Sequence, residues 1–234
     1  MTGATRQRFA RRENNGLLLA GVGFLALFVV VTMVIVAHPG PNGLDRWGFD
    51  TLGYSPKSPT WTHITTFGSL IFLVAGSLAV GVVAGLSQDW WRAAACAGGP
   101  YVAVALAQWV IKPEIGRYYE QVLTYPSGSV TVVAALAAAA VVAVPGVLRW
   151  PVGFFGLVAI ALESLAVVAL RWHYPSDALG GALLGNGTVL VVAGVLGLLR
   201  FTLIQKDQVD RPDVSRPVVT TSLLNDDSFH GARR

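Results

Sequence analysis

Cysteine is nearly missing. Cys96 is the single one in 234 residues and lies within an apolar stretch, which excludes a disulfide framework and gives thiol chemistry no support. Charge is also scarce: Asp, Glu, Lys and Arg make up 13% of the chain, against about 25% in a soluble domain. An ordinary soluble globule is therefore excluded. Hydrophobic residues reach 53% and the mean hydropathy is +0.57. The formal charge of +4 is scattered over the ends of apolar segments rather than gathered in one patch, so no nucleic-acid partner is expected.

The apolar residues fall into six stretches, 16–37, 64–86, 93–111, 129–148, 151–170 and 178–199, each long enough to cross a hydrocarbon core of roughly 30 Å as a helix. Lipid offers no hydrogen-bond partners, so these segments are expected to be helical. The predicted fold is all-α: a polytopic membrane protein built as a six-transmembrane-helix bundle over 16–199, with a basic N-terminus at 1–15 and a polar, disordered cytoplasmic tail at 200–234. The first stretch follows four arginines and has the look of a signal peptide, but its apolar run is too long and lacks a cleavage site, so it reads as a retained anchor. No internal repeat is present, and the Asn186-Gly187-Thr188 sequon falls inside the last stretch, out of reach of glycosylation.

Placing both termini in the cytoplasm puts Arg6, Arg8, Arg11, Arg12, Arg92, Arg149 and all basic residues from Arg200 onward inside. Arg46, Lys57, Lys112, Arg117 and Arg171 are left outside. This obeys the positive-inside rule, with Trp90, Trp91, Trp150 and Trp172 at span ends as interfacial aromatics. The Ala/Val/Gly-rich spans and short loops fit a bacterial plasma (inner) membrane, which makes the outward loops extracytoplasmic.

Those loops carry the functional clues. After the third span stands Lys112-Pro113-Glu114-Ile115-Gly116-Arg117-Tyr118-Tyr119-Glu120, and Pro126-Ser127-Gly128-Ser129 opens the fourth. A helix start of this composition offers free backbone N–H groups, the positive end of the dipole and two hydroxyls to an anion; it is also plain N-capping by Ser127 or Ser129. The fifth span ends Leu170-Arg171-Trp172-His173-Tyr174-Pro175-Ser176-Asp177. That spacing lets a carboxylate hold one imidazole nitrogen and leave the other as nucleophile or base, or else places Asp177 as the cap of the last helix.

Together these segments resemble the type 2 phosphatidic acid phosphatase family of membrane lipid phosphatases and soluble vanadium haloperoxidases. The family pattern is Lys with Arg-Pro seven residues on, then Pro-Ser-Gly-His, then Ser-Arg with His six residues after the Arg and Asp four beyond. Lys112, Pro126-Ser127-Gly128, His173 and Asp177 match it. The resemblance implies a nucleophilic His173 that forms a phosphohistidine, Asp177 as its orienting partner, and a phosphate held by Lys112 and the Ser127, Gly128 and Ser129 segment. No metal or other cofactor is implied, and the expected substrate is an isoprenoid or glycerolipid phosphate taken from among the membrane lipids.

Three side chains with roles in the family, two Arg and one His, are missing. Tyr119-Glu120 stand at Arg-Pro, Ser129 at the second-motif His, and Ala166-Val167 at Ser-Arg. Losing charge neutralisation weakens phosphoryl transfer, unless Arg117, two residues before the vacant position, and Arg171, one turn beyond Val167, bind the phosphate in their place. The alternative is that both arginines bind lipid headgroups. Ser129 in place of an acid favours a diphosphate substrate such as a polyprenyl diphosphate, whose leaving group is already a weak base. Two readings follow: an active lipid phosphatase or diphosphatase, and a catalytically impaired pseudo-phosphatase that binds lipid phosphate or a membrane protein partner. A transporter is disfavoured, since Glu163 and Asn186 are the only polar groups at mid-span. Glu163, the one charge-capable side chain within the spans, is expected as a neutral acid bonded across the bundle, with Asn186 as the candidate partner. His38 and His63 read as interfacial residues rather than as a metal pair.

Overall fold

A computed structural model describes residues 3–210 except Pro39, Pro56 and Gln88. Helix α1 (Gly3–Ala37) leads into two short helices, α2 (Gly43–Leu52) and α3 (Pro59–Ile64), and then α4 (Leu70–Gly85) and α5 (Trp90–Ala105). A π-helical segment, Leu106–Ile111, joins α5 to α6 (Lys112–Ile115). The two-residue strands β1 (Tyr118–Tyr119) and β2 (Val122–Leu123) form a hairpin, after which come α7 (Gly128–Ala143), α8 (Arg149–Ala169) and α9 (Pro175–Asp210).

Among the described residues, four helical segments are long and apolar enough to cross a membrane: Ala10–Ala37, Trp90–Ile115, Gly146–Ala169 and Pro175–Leu203. A fifth arises if the pair Pro59–Gly68 and Leu70–Gly85, bent by 49°, counts as one span. Four to five of the six expected spans thus qualify by length and composition; the fourth stretch falls short because its helix is cut. Pro145 disfavours helix at Val144, which is extended, and α7 ends at Ala143 after 16 residues, about 24 Å. A shorter helix suffices there, since α7 is enclosed by α4, α5, α8 and α9 and shows little of itself to lipid.

Two boundaries are also corrected. The basic N-terminus is helical from Gly3 as part of α1, and α9 continues past Leu199 to Asp210; the expected tail at 211–234 lies outside the described residues. Polar residues carry no hydropathy signal, so the pattern marks where lipid ends rather than where the helix does.

Small residues let the helices close. Val130, Ala134, Ala135, Ala138, Ala139 and Ala143 of α7 are buried. On α9, a Cβ added at Gly181 would lie 2.5 Å from the Ser127 carbonyl oxygen and one at Gly185 2.6 Å from that of Thr131, so backbone meets backbone. Helices α1 and α9 run antiparallel, Leu18 meeting Gly194 and Leu25 meeting Gly187. Large apolar side chains such as Leu19, Met33, Ile71, Leu78, Phe155 and Leu157 point outward, the inverse of a soluble protein.

The polar residues collect at the two ends. At one, Glu13 accepts from both Arg92 and Arg149, Arg200 pairs with Asp89, and Arg11 lies 5.9 Å over the Phe201 ring. The other end holds every residue of the three sequence motifs.

Candidate active site

The geometry of the motif end starts with local chain chemistry. Gly116 closes α6 in the left-handed region (φ +60°), its N–H bonded to the Lys112 carbonyl, and the chain turns so that Arg117 enters the interior. The hairpin then reverses through Glu120 and Gln121, both at positive φ, as the commonest two-residue turns require. Helix α9 begins at Pro175, earlier than the apolar pattern implied. Tyr174 precedes it, and the Asp177 Oδ2 accepts the Tyr174 N–H at 3.0 Å, one half of a capping box. Asp177 is therefore the third residue of the helix rather than its cap.

Motifs two and three meet through the backbone. The Ser127 N–H donates to the Asp177 carbonyl at 2.9 Å, which sets the first turn of α9 against the first turn of α7. Ser127 occupies the cap position of α7, but its side chain makes no capping bond and its Oγ lies 3.4 Å from the Ser129 Oγ. The backbone donors of that turn thus keep the anion-binding capacity the sequence suggested. Motif one joins them by way of Gln108. A Cβ on Gly128 would fall 2.1 Å from the Gln108 Nε2, so the amide rests on Gly128, and Lys112, half-buried, follows four residues further out along the helix. Gln108 sits in the π-helical segment, a type of irregularity frequent at functional sites.

His173 has a 14% exposed side chain, and its Nδ1, buried and without a hydrogen bond among the described residues, faces Asp177 Oδ2 at 3.8 Å. The pair expected from the sequence is adjacent but unbonded. Asp177 is instead held by Arg117, whose Nη1 donates to Asp177 Oδ1 and to Ser176 Oγ, both at 2.7 Å. The Arg117 Nη2 donates to Asp45 Oδ2 at 2.7 Å, and Asp45 Oδ1 takes the Ser176 N–H at 2.9 Å. Arg117 is 3% exposed and Asp45 and Asp177 are fully buried. The expectation that Arg117 faces a phosphate is corrected: its guanidinium is committed to two carboxylates and lies 4.4 Å over the Tyr174 ring. Arg171, at φ +59°, turns toward α2, donating to the Phe49 carbonyl at 2.9 Å and stacking 3.8 Å over its ring. Tyr119, at the family's arginine position, completes an aromatic cluster with Phe49 and Tyr174. Burial pushes the Tyr174 phenol above its ordinary range, and pushes that of Tyr125, bonded to Thr32 at 2.7 Å, up to about 12.

Sequence reasoning missed Asp45, Phe49, Ser176 and Gln108. Asp45 had a signal: Asn42 and Asp45 form a capping box, each side chain accepting the other's backbone N–H. Glu163 is also corrected. The Asn186 amide donates to the Ala182 carbonyl, while a Cβ placed on Gly68 would lie 2.4 Å from Ser129 Cβ and 2.6 Å from Glu163 Oε1. Glu163 therefore adjoins Ser129, at the site. His38 and His63 are exposed, in agreement with surface positions.

No protein-family model matches the chain, and no curated protein matches it. Among solved structures it is similar to the crystal structure of the first transmembrane PAP2 type phosphatidylglycerolphosphate phosphatase from Bacillus subtilis. The TM-score is 0.55 at 19% identity, over 82% of this chain and 98% of that one. The fold is accordingly that of a PAP2-type membrane phosphatase: a mostly helical, multi-pass membrane architecture. The resemblance read from the motifs is thereby matched in the fold.

Proposed function

We propose that this protein is a membrane phosphatase acting on a phosphorylated lipid through a phosphohistidine at His173. The observation that carries this reading is the Ser127 N–H to Asp177 carbonyl bond, which brings the free first turn of α7 up to the turn bearing His173. The imidazole attacks phosphorus, the bond to the leaving oxygen breaks, and water then hydrolyses the phosphohistidine. Lys112, the Gly128 and Ser129 N–H groups and the Ser127–Ser129 hydroxyl pair neutralise the phosphate oxygens. Asp177 orients the imidazole once their 3.8 Å separation tightens around a substrate. A lipid fits this placement, since its tail stays in the bilayer while the headgroup slides between helix ends. All six apolar stretches cross the bacterial inner membrane, with both termini cytoplasmic and the site at the outer face.

The test is phosphate release by the purified protein in detergent, without added metal, from polyprenyl diphosphate, polyprenyl phosphate, phosphatidic acid and phosphatidylglycerolphosphate. Release that His173→Ala abolishes is the expected result. A second reading, a protein that binds lipid phosphate or a membrane partner without turnover, draws on the commitment of Arg117 and Arg171 to protein groups. Binding of these lipids with no release above the His173→Ala background would establish it.

A further inference from the structure

Glu163 is the charge-capable residue that this mechanism leaves unused. It belongs to α8, is 1% exposed, and neither carboxyl oxygen has a hydrogen-bond partner among the described residues. Its surroundings are specific: Gly68, in the turn before the Ser69 break, leaves room for the Glu163 Oε1 and the Ser129 side chain to approach the same point. A Cβ at position 68 would collide with both, so the bare glycine is what lets the carboxyl reach the first turn of α7. Ser129 is half-buried, and its hydroxyl lies 3.4 Å from that of Ser127. A chain of oxygens thus leads from the interior of α8 to the helix start where the phosphate would sit. A carboxylate buried without compensation is costly, and beside an anion it is repelled, so the group belongs there as the neutral acid.

We propose that Glu163 and Ser129 form a proton relay to the leaving group, a reading that rests on the phosphatase assignment above. As the bond between phosphorus and the leaving oxygen breaks, that oxygen takes the Ser129 hydroxyl proton and Ser129 takes the proton of Glu163, which becomes a carboxylate. In the second half-reaction, water attacking the phosphohistidine gives its proton back through Ser129. Ser129 touches the substrate; Glu163 is a positioning and proton-storing residue acting through it. The substrate class follows: the relay is needed for a lipid phosphate monoester, whose alkoxide leaving group requires a proton, and is dispensable for a diphosphate, whose leaving group is a weak base.

The experiment compares turnover of polyprenyl phosphate and polyprenyl diphosphate by wild type, Glu163→Gln, Glu163→Asp and Ser129→Ala, with His173→Ala as blank. Thermal unfolding of each variant serves as the folding control. The expected result is that wild type cleaves both substrates and that Glu163→Gln and Ser129→Ala lose monoester turnover at least tenfold. Glu163→Gln keeps diphosphate turnover within about twofold, and Glu163→Asp recovers part of the monoester activity. For Glu163→Gln, equal loss on both substrates or unchanged activity on both, and for the wild type, activity confined to the diphosphate, overturns the relay while leaving the phosphatase reading intact. A wild type inert on these two substrates and also on phosphatidic acid and phosphatidylglycerolphosphate overturns the two readings together.

Discussion

Arg117 shows how a residue's partners redefine it. Its position in the sequence, two residues before the family's vacant arginine, suggests a replacement phosphate ligand, yet the side chain bonds Asp45, Asp177 and Ser176 in the buried interior. Removing one member of such a group strands the others. Arg117→Ala is expected to destabilise the protein by about 3–5 kcal/mol in thermal or denaturant unfolding, and Arg117→Lys to rescue little, since a single ammonium cannot reproduce the fork. His173→Ala, by contrast, removes a half-buried imidazole whose Nδ1 bonds nothing; unfolding should barely change while phosphate release disappears. The difference between these residues explains what the sequence could reveal. His173 and Asp177 are four residues apart, so their neighbourhood is local and legible. Arg117 finds Asp45 from 72 residues away, and nothing in the surrounding sequence of either names the other. Glu163 was visible as an anomaly in an apolar stretch, but its neighbour Ser129 depends on the packing of α8 beside α7 and on the bare Gly68 between them.

At the scale of helices, each apolar stretch read from hydropathy falls on a helix, but most of the ends are misplaced. Hydropathy counted Val144 and Pro145 into a span that the proline stops, and it divided α1 and α9 where their side chains turn polar although their backbones stay helical. Small residues are the other part of the code. Gly181 carries no mark in a hydropathy profile, yet it is the point at which α9 leans on the Ser127 carbonyl. Gly181→Ala should cost about 1–3 kcal/mol and push apart the two helix starts that make the site. Gly23→Ala, where an added Cβ meets nothing within 4 Å, should cost nothing by the same unfolding measurement.

For the molecule as a whole, the segregation of polar groups to two ends makes orientation testable. Lys57 is exposed at the motif end, in the loop whose Ser55 N–H bonds the Ala169 carbonyl, and Ser87 is exposed at the other. In a Cys96→Ala background, a membrane-impermeant maleimide should label Lys57→Cys in intact cells and Ser87→Cys only after lysis. The opposite pattern would invert the topology and place the site in the cytoplasm.

The knot of Asp45, Arg117, Ser176 and Asp177 also sets a timetable for synthesis. Its members come from α2, the middle of the chain and the start of the last helix, Arg117 lying 72 residues from Asp45 and 60 from Asp177. While the chain is being made, Asp45 and Arg117 emerge long before Ser176 supplies its N–H or Asp177 its carboxylate. Until α9 has joined the bundle, the motif end holds an acid and a base without their full complement of partners, and they belong in water. Arrival of the last helix is thus the event that draws these charges inward and seals that end of the bundle. A nascent protein halted before Tyr174 would leave that end of the bundle open, with Asp45 and Arg117 lacking their partners from α9.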